Sequence, residues 1–308
     1  MSERLFKNQL VAELAWVIGS VPLMNGHVPK QRFDVLDETW FREQYNLHID
    51  WLHELDSNPE PLKEALQTEH KLLLGKRFER LVEFWITNSS QFELLLANRQ
   101  LTSTAGTHGE IDYVIKELAT GRLMHLEVAC KFYLGFNNSP QWSHWIGPNG
   151  KDKLRYKMDK LDRQLEIFST EAGRQVLEEN RWKKPDPVLM MKGYFFHHFK
   201  NMAKAKSPKY STSRYPTGWF AFEKEVDQFF KGNTLWVALP KKSWLALFNR
   251  SVDERVETWN ATEVKKKVKG LLSEFGRSVM LVQVVEQGER LVEVNRGFVV
   301  RNSWPERS

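Results

Sequence analysis

Residues 109–131, GEIDYVIKELATGRLMHLEVACK, alternate polar and apolar side chains on either side of a glycine-containing turn. Successive side chains of a strand point to opposite faces, so this pattern fits two antiparallel strands with one face in a core. On the first strand Glu110, Asp112 and Val114 share a face, and Ile111, Tyr113 and Ile115 share the other. On the second, Glu127, Ala129 and Lys131 lie on one face, with Leu126, Val128, Cys130 and Phe132 opposite. The turn is expected within 119–122, where Gly121 takes positive φ at no steric cost. A two-residue loop at 120–121 and a four-residue loop at 119–122 give the same register. Asp112 then faces Ala129, with Glu127 and Lys131 as diagonal neighbours roughly 7–8 Å away between Cβ atoms. A three-residue loop would turn Asp112 to the wrong face.

Two carboxylates and a lysine on one face of a hairpin can hold a divalent metal against a phosphate. Mg²⁺ is a hard cation that prefers oxygen ligands and keeps several waters. Bound there, it would activate a water and neutralise charge building on phosphorus, beside the compact positive charge of lysine. Mn²⁺ would serve similarly. The same residues also fit a plain hairpin with one wet face, in which Glu110 and Lys131 form a cross-strand ion pair.

The 308 residues suffice for one large domain or two modest ones. A net charge of +6 is compatible with a polyanionic partner without requiring one. Twelve tryptophans imply that several are buried, and leave a few to stack on a ligand. Cys130 is the only cysteine, which excludes internal disulfides and a cysteine-rich zinc site; its face makes it a small core residue. The apolar stretch 10–24 is interrupted by Glu13 and lacks a cleavage pattern, and no run reaches membrane-spanning length. A soluble cytoplasmic protein is therefore expected, without membrane association.

Helices are expected over 3–24, in one or two short pieces over 35–56, over 61–87, 151–170 and 261–275. Strands are expected at 92–96, in the hairpin, at 187–199, at 234–240, and at 278–286 and 290–300. The run 187–199 is almost wholly apolar, as for a sheet centre. Residues 200–216 read as a loop with five basic residues and no acid. Its Lys204, Lys206, Lys209 and Arg214 could track a phosphate backbone while Tyr210 stacks on a base, or the run is simply a solvated loop. His125 shares the Glu127 face and could contact a substrate. His197 and His198 face opposite ways, which disfavours a metal pair. The fold class is α/β, a mixed central sheet flanked by helices with an N-terminal helical part. Residues 1–60 form the helical extension and 61–308 the α/β unit.

A helix with a glutamate, a G-E-I-D strand, a strand bearing Glu and Lys, and a helix with a glutamine follow one another in this order. That order resembles the PD-(D/E)XK nuclease-like superfamily over roughly residues 70–200. The run from Met124 to Gly135, together with Gly147-Pro148-Asn149, is similar to an uncharacterised bacterial family, a domain of unknown function, within that superfamily. The resemblance implies a restriction-endonuclease-like core and Mg²⁺-dependent hydrolysis of DNA. It implies Asp112 and Glu127 as metal carboxylates, Lys131 as the catalytic lysine and Glu79 as a supporting metal ligand. Gln164 would match the glutamine of a Gln-x-x-x-Tyr motif, with Phe168 in place of tyrosine. The chain departs from the superfamily in spacing: Glu127 and Lys131 are separated by three residues instead of one, about 13 Å along a strand. A degenerate protein that binds nucleic acid or a protein partner without cutting is the alternative.

Overall fold

The apolar run expected at a sheet centre forms a strand over Asp186–His198, buried on both faces. The computed structural model describes residues 6–25, 28, 31–67, 73–103, 106–276 and 278–305. In chain order its elements are α1 (Gln9–Gly19), β1 (Asp34–Val35), α2 (Glu38–Ser57), α3 (Glu60–Gln67), α4 (Leu74–Asn88), β2 (Phe92–Ser103), β3 (Gly106–Glu117), β4 (Leu123–Gly135) and β5 (Trp145–Ile146). There follow α5 (Leu154–Leu165), α6 (Glu171–Asn180), β6 (Asp186–His198), β7 (Thr217–Phe222), α7 (Val226–Phe229), β8 (Leu235–Leu239), β9 (Asn249–Ser251), β10 (Trp259–Asn260), α8 (Ala261–Phe275), β11 (Ser278–Gln287) and β12 (Arg290–Val300).

One mixed sheet runs β10-β8-β11-β12-β7-β6-β4-β3-β2, with β1, β5 and β9 attached at its sides. The β4–β6, β6–β7 and β7–β12 pairs are parallel and the two ends antiparallel. Both faces are covered. On one, α1, α2 and α4 join the side chains Leu126, Val128, Phe132, Tyr194, Phe220, Met280 and Phe298 in a single cluster. On the other, α5 packs on Ala129, Tyr133 and Leu189, α8 on Trp219 and Leu281, and α6 on Leu101 and Ile111. This is the expected α/β architecture with a mixed, helix-flanked sheet.

The N-terminal helix is shorter than its apolar stretch, yet Val11 to Gly19 are all buried, as in a helix apolar all round. Its one carboxylate, Glu13, meets the Arg77 guanidinium of α4 at 2.6 Å. Residues 38–57 form one continuous helix instead of short pieces: Asp37 caps it by accepting from the Trp40 N–H, and no breaker precedes Ser57. The expected helix 61–87 is two helices, α3 and α4; residues 68–72 lie outside the described residues. The first long strand runs seven residues past 96, because Arg99 to Ser103 keep pairing with β3 despite their largely polar sequence. The 3₁₀ turn at 167–169 ends the helix expected to reach 170.

Gly193 of β6 shows how closely the central strands approach. Its φ is 136°, and a Cβ there would lie 1.7 Å from the Lys131 carbonyl oxygen of β4. Gly193→Ala is expected to cost about 3 kcal/mol or more, through strain and displaced strand pairing. A fall in the urea midpoint at unchanged slope would register it.

Candidate functional site

The site lies where β3 and β4 part. Their ladder holds only from Lys116↔Leu123 to Tyr113↔Leu126. Beyond it β3 continues with β2 and β4 with β6, and β5 closes on β4 only at Leu134 and Gly135. The edge of β4 between these contacts faces a gap. The Asp112 carboxylate stands at its start, where Oδ2 accepts the Val128 N–H at 3.0 Å in place of a main-chain oxygen.

The register differs from the expected one. The loop spans 118–121, closed by the Glu117 N–H donating to the Arg122 carbonyl at 2.9 Å. The pairing is shifted by two residues, which preserves the face of every side chain. Continued by one residue, it sets Asp112 opposite Glu127, not Ala129, and no longer opposes Glu110 to Lys131. The two carboxylates become direct cross-strand neighbours.

Glu127 is 1% exposed. The buried His125 Nε2 lies 3.3 Å from its Oε1, and burial lowers the His125 pKa to about 4, so the ring is neutral beside the carboxyl. Burial, followed by the charge of Glu127, raises the pKa of Asp112; burial likewise raises that of Glu127, each to about 7. Ionising both therefore costs free energy.

The cation whose charge acts most on them is Lys157. It sits on the α5 face turned to the sheet, and its charge is the strongest positive influence on both carboxylates. Burial, and then the nearby Lys131, lower its own pKa. Lys131 lies further along β4, where its ammonium bonds the Asp152 carboxylate at 2.7 Å and Tyr133 donates to the same oxygen at 3.3 Å. The role expected of Lys131 therefore divides: Lys157 acts on the carboxylates by its charge, and Lys131 opens with Asp152 onto a cleft of about 490 Å³. Sequence reading missed Lys157 and Asp152. Lys157 appears there as one more polar position on an amphipathic helix; the available signal was its one-turn step from Lys153 and Lys160 along one helix flank.

Glu79 lies on the cleft wall, bonded at 2.6 Å to Lys76, and its charge contributes to raising the Asp112 pKa. Among the described residues, no three His, Cys, Asp or Glu side chains converge as a ready-made metal cage, so Glu79 does not complete one with Asp112 and Glu127. Gln164 lies on α5 two turns from Lys157, its Oε1 buried without a hydrogen-bond partner. Phe168 meets the His125 ring edge to face at 5.1 Å.

The basic loop stands apart from the carboxylates. Arg214 pairs with Glu38, Lys200 with Glu225, and the backbone at Lys204, Lys206 and Lys209 is tied to Asn138, Pro140 and Trp142. Lys204, Lys206, Lys209, Tyr210 and Arg214 are exposed, and none lines the cleft beside Lys131. His197 bonds the Tyr215 hydroxyl at 2.9 Å and His198 bonds Glu225 at 2.8 Å, so the two rings do face apart. Among the described residues no helix is long and apolar enough to cross a membrane.

Fold and site together define a three-layer α/β protein with a buried carboxylate pair in a split sheet. The chain belongs to an uncharacterised family, described as Domain of unknown function (DUF1853), whose model matches residues 12–300. No curated protein matches the chain, and no solved structure does.

Proposed function

We propose that this protein is a divalent-metal-dependent phosphodiester hydrolase acting on nucleic acid, on a core of PD-(D/E)XK type. The observation that carries the reading is the buried, mutually coupled Asp112–Glu127 pair at the point where β3 and β4 part, with the Lys157 charge acting on both. The donor set is all oxygen and repels itself when ionised, which suits Mg²⁺ or Mn²⁺. A bound cation would supply a water of lowered pKa and offset charge on the phosphate. The Val128 N–H holds Asp112 and the His125 ring holds Glu127, so both oxygens are oriented before a ligand arrives. Lys157 provides the positive charge for a phosphate oxygen. Partly desolvated, it acts more strongly than it would in water.

Cleavage of plasmid and single-stranded DNA with Mg²⁺ or Mn²⁺ tests this. Asp112→Ala is expected to abolish cutting, and Lys157→Met to slow it on the order of a hundredfold. Lys131→Met, one position further from the carboxylates, should cost less. Equal trace cleavage by the parent and Asp112→Ala would sink the enzymatic reading.

One observation favours a second reading, a nuclease-derived protein that binds without cutting: Lys131 is engaged by Asp152 instead of the carboxylate pair. Salt-sensitive DNA binding that survives Asp112→Ala, with no cutting by either protein, would support it.

A further inference from the structure

We infer that the cleft beside Lys131 is a seat for one nucleobase and its phosphate, so that the substrate is a single strand or a strand end rather than continuous duplex. The inference rests on the hydrolase reading for what happens at the carboxylates, but its binding claim stands on the cleft itself. Two of the most exposed large apolar side chains in the protein, Leu73 at 72% and Phe275 at 47%, line the mouth of this one cleft. They come from distant parts of the chain, the start of α4 and the end of α8. Neither position is forced on the fold by core packing, and exposed apolar groups gathered at one cavity mark a ligand surface. Behind them stands the Trp244 ring, with the exposed Lys241 ammonium 5.9 Å from its centroid. Lys76 and Lys131 complete the lining on the side towards the carboxylates.

Apolar and aromatic surface on one side with ammonium groups on the other is the pattern that takes a base by its face and a phosphate by its charge. A volume of about 490 Å³ lies within the range of small-molecule sites and admits on the order of one nucleotide. Duplex is disfavoured by burial: Glu127 is 1% exposed, whereas the phosphates of a duplex lie on the outside of a stacked, paired cylinder. A single strand can unstack, place a base against the apolar mouth at Leu73 and Phe275, and lower the adjacent phosphate towards Lys76 and Lys131. Opening a duplex to do the same costs a few kcal/mol per flipped base.

The test is fluorescence anisotropy with a short labelled oligothymidine, alone and annealed to its complement, in chelator so that nothing is cut. The single strand should bind at least tenfold more tightly than the duplex. Phe275→Ser should weaken single-strand binding on the order of tenfold, and Lys241→Glu should weaken it and reduce the salt dependence. Both positions are exposed, so the variants should keep the parent's circular dichroism spectrum and melting temperature. Equal affinity for duplex and single strand, or unchanged affinity in Phe275→Ser, would overturn the inference; so would absence of binding. The two readings separate cleanly. Cutting that needs Asp112 while Phe275→Ser binds normally leaves the hydrolase standing and removes the cleft. Cleft-dependent binding with no metal-dependent cutting does the reverse.

Discussion

Asp112→Asn should stabilise the protein at pH 8 in chelator and, on the proposed hydrolase reading, show no cleavage. Asp112 and Glu127 both have folded-state pKa values raised to about 7, against 3.8 and 4.5 for the free groups. Between those limits the folded state holds more protons than the unfolded chain, so stability falls as pH rises through the window and is lowest once both carboxyls are ionised. The penalty for the coupled pair is on the order of a few kcal/mol. Asparagine keeps an oxygen for the Val128 N–H and can donate its amide towards Glu127, which removes the repulsion without vacating the site. At pH 8 in chelator the thermal midpoint should rise by roughly 4–10 °C. At pH 4 the parent carboxyls are protonated and the gain should vanish. A stabilisation independent of pH, or a loss of stability at pH 8, would show that the two carboxylates are not in mutual repulsion. Divalent metal should narrow the difference by stabilising only the parent, as RT ln(1 + [L]/Kd) requires of a native-state ligand.

The hairpin was legible because its signal is local. Alternation assigned Asp112 and Glu127 to one face, and the glycine turn fixed the parity that keeps them there. The exact register was not legible, since Leu118–Gly121 and Ala119–Arg122 are equally good four-residue loops and differ by two residues. That difference decides whether Asp112 meets Ala129 or Glu127. The helices α1 and α8 were legible as elements, and the structure closes the start of α8 with an Asn260/Glu263 capping box. Lys157 and Asp152 were hidden because their importance depends on how α5 docks on β4, a contact between elements that no local periodicity records. The cleft was hidden for the same reason. Leu73 and Phe275 are 202 positions apart in sequence and meet only because the sheet and its inner helices bring the starts of α4 and β11 together. Several of the twelve tryptophans were expected to be buried, and Trp16 stacks on Tyr194, Trp40 packs edge-on against Trp85, and Trp51 stacks on Phe84. Most of that aromatic surface serves the core.

Arg296→Met should be among the most destabilising single changes in the chain. Arg296 lies on β12 and is 2% exposed. Its Nε and Nη2 meet the two Glu293 oxygens at 2.5 and 2.8 Å, a bidentate pairing. The remaining donors reach the Trp244 carbonyl at 2.6 Å and the Ala246 carbonyl at 2.8 Å, and the guanidinium lies 4.4 Å from the Tyr194 ring centroid. Glu293 in turn accepts the Phe248 N–H at 2.8 Å. The pair thus ties 244–248, an irregular segment whose carbonyls have no ladder to join, to the centre of the sheet. Methionine fills much of the volume but leaves a carboxylate buried without its cation. Removing one partner of a buried pair costs about 3–5 kcal/mol, read here as a fall of roughly 6–15 °C in the thermal midpoint. Because the pair is buried, the loss should be the same at low and high salt, unlike that of a surface bridge. Adding Glu293→Leu to Arg296→Met should recover part of it by removing the orphaned charge, while the Trp244 and Ala246 carbonyls keep the recovery incomplete. Arg296→Lys should fall between, since one ammonium cannot span a carboxylate and two carbonyls at these angles. A loss below about 1 kcal/mol in Arg296→Met would mean that the 244–248 segment holds its place without the pair. If the segment does loosen, Trp244 loosens with it, and single-strand binding in the cleft should weaken in Arg296→Lys even at temperatures where that variant remains folded.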